Sequence, residues 1–203
     1  MFRFFIFFIF FFVSLNSYSE EENIEIGKIK SSVCFTCHGT DGNSVVPMFP
    51  KLAGQFSKYL IKQLESFKQG ELGLRFDPIM YGIVQDLSSQ DFLDIALYFS
   101  SQKILPNIFE TKNINTLGKK IYLSGDLKRN IISCSSCHGS LGEGNEFASI
   151  PKLRHQHSHY ISLQLQKYKS EIRKNDVLNI MKDISKKMTD EEIISVSEYI
   201  SML

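Results

Sequence analysis

Two Cys-x-x-Cys-His motifs, one hundred residues apart, constrain this chain more than any other feature. They consist of Cys34, Cys37 and His38, and of Cys134, Cys137 and His138. The chain has only 4 cysteines, so the two motifs use all of them. Two thiols one helical turn apart with a histidine directly after them are the attachment pattern of a c-type haem, in which the sulfurs form thioethers and the imidazole binds the iron. The sequence therefore predicts two covalently bound haem c groups.

The same cysteines have other interpretations. Two disulfides, or a redox-active Cys-x-x-Cys pair, would suit an oxidising compartment. Neither needs a histidine directly after the second cysteine, and here that arrangement occurs twice. A zinc site built from both pairs would have ligands to spare. Haem attachment accounts for the whole motif and for its duplication.

The first residues have the pattern of a secretory signal peptide. Arg3 supplies positive charge, residues 4–13 form an unbroken apolar run, and Ser17 and Ser19 place small side chains at the minus-three and minus-one positions before Glu20. An uncleaved membrane anchor is the alternative, although the apolar run is shorter than the roughly 20 residues that span a bilayer. We expect residues 1–19 to be removed on export.

Charge argues against one class of partner. Residues 20–203 carry 22 basic and 22 acidic side chains, so the chain lacks the electrostatic footprint of a nucleic-acid-binding protein. The charge is unevenly divided, with 8 basic and 11 acidic side chains in residues 20–105, and 14 basic and 11 acidic in residues 106–203. Such a division is either ordinary solvated surface or a dipole that orients docking.

The chain is an internal repeat. The segment Pro-Lys-Leu at 50–52 recurs 101 residues later at 151–153. Other pairs at this offset are Gln55 and Gln156, Tyr59 and Tyr160, Gln63 and Gln164, and Tyr98 and Tyr199. One unit of about 90 residues used twice predicts two tandem domains. We place them at residues 20–105 and 106–203, with a linker over about 102–115.

Each unit predicts helices and no strong strand. Apolar residues recur at helical spacing over residues 57–69 and again over 158–170. Capping-box patterns at Ser88 and Thr189 begin the last helix of each unit. The expected fold class is all-α. A unit this small has little core of its own, so each haem is expected to supply part of it.

Methionine is the candidate for the second iron ligand. The chain has 6 methionines, and only Met80 and Met181 are related by the offset of 101 residues. A single methionine at helical spacing is usually core filler, but a pair at equivalent places in two haem units fits the His/Met ligation of cytochromes c. We predict that His38 and Met80 bind one iron and that His138 and Met181 bind the other. Such a site is closed to substrates and suited to passing electrons.

Neighbours of these ligands lead to further hypotheses. The backbone carbonyls of Pro50 and Pro151 are predicted to accept the imidazole protons of the two motif histidines. Arg75 is either a partner for a haem propionate or a surface charge. The three histidines within 155–159 have no counterpart in the first unit and are expected to form a solvated helix start rather than a metal site.

The sequence Cys-x-x-Cys-His-Gly-x-Asp-Gly-Asn at 34–43 resembles the dihaem cytochrome c4 family. Residues 49–55, 59–64 and 87–102 are similar to it as well. The likeness covers essentially the whole mature chain and is looser in the second unit. There Arg154-His155 replaces a small pair of residues, and Lys182-Asp183 follows Met181.

The resemblance implies two tandem class I cytochrome c domains, one covalent haem each, with propionate edges facing across a pseudo-twofold interface. It implies a periplasmic electron carrier rather than an enzyme, at times loosely membrane-associated. Its redox partners would be a quinol-oxidising complex or another donor and, downstream, a terminal oxidase. The alternatives are a peroxidase-like dihaem enzyme or a haem subunit of a larger oxidoreductase complex. Met80 and Met181 match the axial positions of the family.

Overall fold

The computed structural model describes residues 23–107 and 115–203, here called the first and second halves. The predicted leader at 1–19 and residues 108–114 of the predicted linker lie outside the described residues. Within the described halves the only β-type pairings are isolated bridges, which agrees with the all-α prediction. No helix in this part of the chain combines the length and apolarity needed to cross a membrane.

Both halves repeat one order of five helices. The first half contains α1 (23–30), α2 (Phe35–His38), α3 (Ser57–Lys68), α4 (Pro78–Val84) and α5 (Ser89–Ser101). The second half contains α6 (Thr116–Ser124), α7 (Ser135–His138), α8 (Ser158–Lys169), α9 (Ile180–Lys187) and α10 (Asp190–Ser201). The helices predicted over 57–69 and 158–170 are confirmed to within one residue.

The last helix of each half organises its core. Complete capping boxes at Ser88 and Thr189 start α5 and α10, as predicted. In the first half α5 packs against α3, and in the second half α10 packs against both α6 and α8. The buried faces present Phe99 in α5 and Val196 in α10 to the interior. These packed helices form the walls against which the cysteine motifs lie.

A glycine allows the first and last helices of each half to cross in contact. A Cβ on Gly27 would lie 2.1 Å from the carbonyl oxygen of Asp94, and one on Gly118 would lie 2.0 Å from that of Ser195. Distances below 3.0 Å are essentially never seen for a Cβ, so any other residue would push the helices apart. Glycine therefore sets how close α1 lies to α5 and α6 to α10.

A tyrosine ties the loop after each cysteine motif to these helices. Tyr98 Oη donates to the Thr40 carbonyl at 2.6 Å, and Tyr122 Oη donates to the Gly139 carbonyl at 2.6 Å. Tyr98 and Tyr199 are equivalent in the repeat, yet the second half makes this bond from α6. Tyr199 instead packs its ring on Tyr122, with centroids 5.5 Å apart. The repeat predicted the equivalent residues but not this exchange of roles.

Gly27→Ala and Gly118→Ala are each expected to lower the free energy of unfolding by about 1–3 kcal/mol, because the added Cβ forces two packed helices apart. Gly82→Ala is the matched control, since a Cβ on this helical glycine meets no atom within 4 Å. It should be neutral or stabilise by about 0.5–1 kcal/mol. Denaturant unfolding measures all three, and equal losses at Gly27 and Gly82 would contradict the close crossing.

Tyr122→Phe is expected to cost about 0.5–1.5 kcal/mol of stability, because it removes the hydrogen bond of a fully buried tyrosine and leaves the Gly139 carbonyl only the Gly142 N–H at 3.3 Å. Tyr199→Phe is the control, since the Tyr199 hydroxyl has no hydrogen-bond partner among the described residues. Equilibrium denaturation compares the two variants. A loss at Tyr199 as large as that at Tyr122 would show that ring packing, not the hydrogen bond, holds the loop.

Candidate functional site

The two cysteine motifs lie on matching short helices. α2 ends at His38 and α7 at His138, and each is followed by a glycine at a φ near +80° (82° and 81°) that turns the chain out of the helix. Residues three apart on a helix share one face, so each pair of thiols points the same way. No disulfide joins any of the four cysteines.

Burial raises the pKa of the first cysteine thiol in each motif. It raises the pKa of Cys34 to about 11 and that of Cys134 to about 12. A redox-active Cys-x-x-Cys pair has the opposite property, a lowered pKa that supplies a thiolate. The raised pKa values of Cys34 and Cys134 therefore speak against the redox-pair interpretation.

Each motif histidine is buried and bound to a proline carbonyl. His38 Nδ1 lies 2.8 Å from Pro50 O, and His138 Nδ1 lies 3.0 Å from Pro151 O, which confirms the predicted pairing. A carbonyl only accepts, so Nδ1 carries the proton and Nε2 presents its lone pair. Burial lowers the pKa of both imidazoles more than the carbonyl bond raises it. Both rings are thus neutral and oriented for a metal at Nε2.

A glycine carbonyl closes the loop that brings each proline to its histidine. The carbonyl of Gly42 accepts from the N–H of Leu52 and of the next residue, at 2.8 and 3.2 Å. The carbonyl of Gly142 accepts from Leu153 and its successor at the same two distances. The duplicated motif glycines therefore have a structural role, which is to fold the Pro-Lys-Leu segment back over the cysteine helix.

The second half keeps this loop despite its bulkier residues. His155 adopts a φ of +58°, close to the +65° of its counterpart Gly54. A non-glycine residue in this region costs roughly 1–2 kcal/mol. Arg154 Nε is buried without a hydrogen-bond partner among the described residues. The Arg154-His155 pair therefore adds backbone strain to this loop, while the backbone follows the same path as in the first half.

The expectation of a solvated helix start over 155–159 is wrong for His157. Its Nε2 lies 2.8 Å from the carbonyl oxygen of Ser44 in the first half. His159 alone of the three is exposed. The segment is thus partly a contact between the halves. The repeat could not predict this contact, because the counterpart of His157 in the first half is Phe56.

Met80 and Met181 lie in the first turns of α4 and α9, two helices that the sequence pattern did not predict. An aspartate caps each turn: Asp77 Oδ1 accepts from Met80 N at 3.3 Å, and Asp176 Oδ2 accepts from Met181 N at 2.8 Å. Left-handed residues at 178–179 precede α9, whereas a proline opens α4. Both methionines are therefore fixed at helix starts rather than dispersed in the core.

One cavity of about 610 Å³ brings the predicted site residues together. Each half contributes its two cysteines, its motif histidine and its repeat-related methionine to the wall; these are Cys34, Cys37, His38, Met80, Cys134, Cys137, His138 and Met181. Met48 and Met188 line it too. Much of the remaining wall is aliphatic or aromatic, as at Leu60 and Phe67. An apolar cavity with thiols and neutral imidazoles in its wall fits porphyrins.

Two buried arginines give the cavity positive charge where the halves meet. Arg75 and Arg173 are 7% and 4% exposed. Their guanidinium groups lie 4.3 Å from the Phe67 ring and 4.6 Å from the Tyr168 ring. Among the described residues no carboxylate lies within ion-pair distance of either group. A buried cation without a counter-ion is costly, so this place suits an anionic group such as a propionate.

Neutral side chains from both halves hold these arginines. Arg75 donates to Gln63 and, at 2.9 Å, to Tyr160 Oη of the second half. Arg173 donates to Tyr59 Oη of the first half at 3.1 Å. Burial raises the pKa of Tyr59, but the two guanidinium groups outweigh it and lower that pKa. Sequence comparison between the halves missed Arg173 because it lies 98 residues after Arg75, outside the register of the repeat.

Comparison with known proteins agrees with these features. The sequence model of the cytochrome c family matches residues 27–103 and 116–203. Cytochrome c4 from Azotobacter vinelandii is 39% identical over 184 residues, with 87% of each chain covered. A thiosulfate dehydrogenase electron acceptor from Stutzerimonas stutzeri is 34% identical over 169 residues, covering 82% of this chain and 76% of the relative.

A solved structure supports the same assignment. The crystal structure of reduced recombinant cytochrome c4 from Pseudomonas stutzeri superimposes with a TM-score of 0.84 at 39% identity, covering 88% of this chain and 97% of that one. The chain therefore belongs to the cytochrome c4 family, with two tandem cytochrome c domains and two covalently bound haem c groups.

Proposed function

We propose that this protein is a periplasmic one-electron carrier with two His/Met-ligated haems. His38 and Met80 bind one iron, and His138 and Met181 bind the other. The observation that carries the proposal is that both halves line one apolar cavity with the same pair of groups. Each half contributes a buried neutral imidazole and a methionine from the capped first turn of a helix. A thioether is a weak donor that favours the ferrous state. A histidine and a methionine on each iron would leave no open position for a substrate, which is why we propose a carrier and not an enzyme.

The residues of each half have distinct tasks in this proposal. Haem c supplies the one-electron chemistry when it is bound. The two cysteines of each motif would tether the haem, the proline carbonyl fixes the orientation and tautomer of the histidine, and the methionine would supply the second iron ligand. Apolar walls such as Leu60 and Phe67 exclude water. Arg75 and Arg173 provide positive charge for the propionates.

The proposal extends to domain limits and location. Residues 1–19 are an export signal, residues 20–105 and 106–203 are the two cytochrome c domains, and residues 102–115 are the linker. The mature protein lies in the periplasm, with loose association to the membrane. It takes electrons from a quinol-oxidising complex and passes them to a terminal oxidase.

A thiosulfate dehydrogenase is a second candidate donor. The support is the relationship to the electron acceptor of that enzyme in Stutzerimonas stutzeri. In that role the protein would be the redox partner of an enzyme and would keep both irons closed. Stopped-flow reduction of the oxidised protein by a quinol-oxidising complex and by a thiosulfate dehydrogenase distinguishes the two donors, and the faster reduction identifies the better one.

Mass spectrometry of the exported protein is the primary test. A host that attaches c-type haem should yield a chain that begins at Glu20 and carries the mass of two haems. The oxidised protein should show the long-wavelength thioether-to-iron absorption at an intensity that corresponds to two haems. A single haem, or a high-spin haem in the resting protein, would overturn the proposal in favour of a dihaem enzyme.

Met80→Ala is expected to convert one of the two haems to a high-spin form that binds carbon monoxide when reduced, because the sixth position loses its ligand. Met181→Ala should do the same to the other haem. Met48→Leu is the matched control, since Met48 also lines the cavity but is 54% exposed. Optical titration with carbon monoxide counts the open sites. Carbon monoxide binding by Met48→Leu but not by Met80→Ala would assign the ligand to Met48.

A further inference from the structure

Each half lends a glutamine side chain to the backbone of the other half. Gln156 Oε1 accepts from Lys51 N at 2.9 Å, and Gln156 Nε2 donates to Lys51 O at 2.9 Å. Gln55 makes the same two bonds with Lys152, both at 3.0 Å. The contacts are reciprocal, as an approximate two-fold relation requires. Both glutamines are at least nine-tenths buried.

The orientation of each amide is fixed by its neighbours. Gln156 Oε1 also accepts from the backbone N–H of His157 at 3.1 Å, and Gln55 Oε1 accepts from that of Phe56 at 3.1 Å. Two N–H groups converge on each oxygen, and a carbonyl faces each nitrogen. If Oε1 and Nε2 exchanged places, the amide NH₂ would face two backbone N–H donors and the amide oxygen would face a carbonyl oxygen.

The peptide group that each glutamine binds is the one that holds a motif histidine. The N–H of Lys51 and the C=O of Pro50 belong to a single peptide unit, and that carbonyl accepts from His38 Nδ1 at 2.8 Å. A continuous hydrogen-bonded chain therefore runs from Gln156 in the second half, through peptide 50–51, to His38 in the first. The equivalent chain runs from Gln55 through peptide 151–152 to His138, whose Nδ1 lies 3.0 Å from the Pro151 carbonyl oxygen.

Such a chain changes the imidazole as an iron ligand. When a peptide N–H donates a hydrogen bond, electron density shifts to its carbonyl oxygen, which becomes a stronger acceptor. A stronger acceptor at Nδ1–H makes Nε2 a better electron donor. A better donor stabilises the ferric state and lowers the reduction potential. The site is largely buried, where hydrogen bonds polarise one another most.

We propose that Gln156 is a positioning residue for His38 and Gln55 for His138, so that each half tunes the reduction potential of the haem in the opposite half. This inference rests on the proposed histidine ligation. The effect is crossed between the halves. A residue that merely held the halves together would change both haems or neither.

The test uses the full-length protein with both haems attached. Gln156→Leu should raise the potential of the haem in the first half and leave that of the second unchanged, and Gln55→Leu should do the reverse. The ferric-to-ferrous ratio of the affected haem should fall severalfold at a fixed applied potential. Haem methyl resonances followed by NMR through a redox titration report each haem separately, with Met80→Ala used to assign them. The Nδ1 proton of His38 should move upfield in Gln156→Leu.

His157→Phe is the matched control. It removes the contact to Ser44 across the same interface, leaves both peptide chains intact, and restores the residue type of the first half. It should give no crossed shift. If Gln156→Leu does not accumulate with both haems, Gln156→Asn and the reciprocal Gln55 variants answer the same question.

The outcomes separate this inference from the proposed function. A shift in the haem of the substituted half, equal shifts in both, or no shift would overturn the crossed tuning. The spectrum of the unsubstituted protein tests the proposed function separately. Absence of the thioether-to-iron absorption from that spectrum would overturn the His/Met proposal. A thioether absorption that corresponds to two haems, together with no crossed shift in the variants, would overturn the tuning alone.

Discussion

The hydrogen bond between each motif histidine and a proline carbonyl is the contact on which the site depends. It fixes the ring, its tautomer and the nitrogen that faces the cavity. Much of the surrounding backbone supports it: the Gly42 and Gly142 carbonyls fold the proline segment into place, and Tyr98 and Tyr122 anchor the loop before it. Because the imidazole is buried and neutral, it is ready to bind a metal without losing a proton.

The contact between the halves is polar where most of a core is apolar. Buried glutamines, tyrosines and arginines from both halves meet there, and the arginines have neutral partners among the described residues. Each such group must be satisfied, because an unpaired buried donor costs about 1–3 kcal/mol. That requirement specifies one relative arrangement of the halves more strictly than apolar packing would. The propionates of two haems would complete the charge balance.

Much of this structure could be predicted from the sequence, because the repeat supplied an internal comparison. The repeat paired Met80 with Met181, which both line the cavity. Helical spacing predicted the helices that begin at residues 57 and 158, and the predicted proline partners of the histidines are confirmed. Sequence analysis missed α4 and α9, which are short and whose first turns are capped by aspartates. It missed Arg173, which lies out of register, and the exchange of roles between Tyr98 and Tyr122. Long-range partners of polar side chains leave no periodic trace in a sequence.

The glutamine exchange also limits how far the halves are independent modules. A fragment ending near residue 107 would keep its cysteines, histidine and methionine, yet the N–H of Lys51 would turn to water instead of Gln156. Chimaeras that join one half to an unrelated cytochrome domain would meet the same loss unless the graft carried a glutamine at the matching place. The two products of the duplication therefore depend on each other, since a side chain of one half completes the hydrogen bonds of the other.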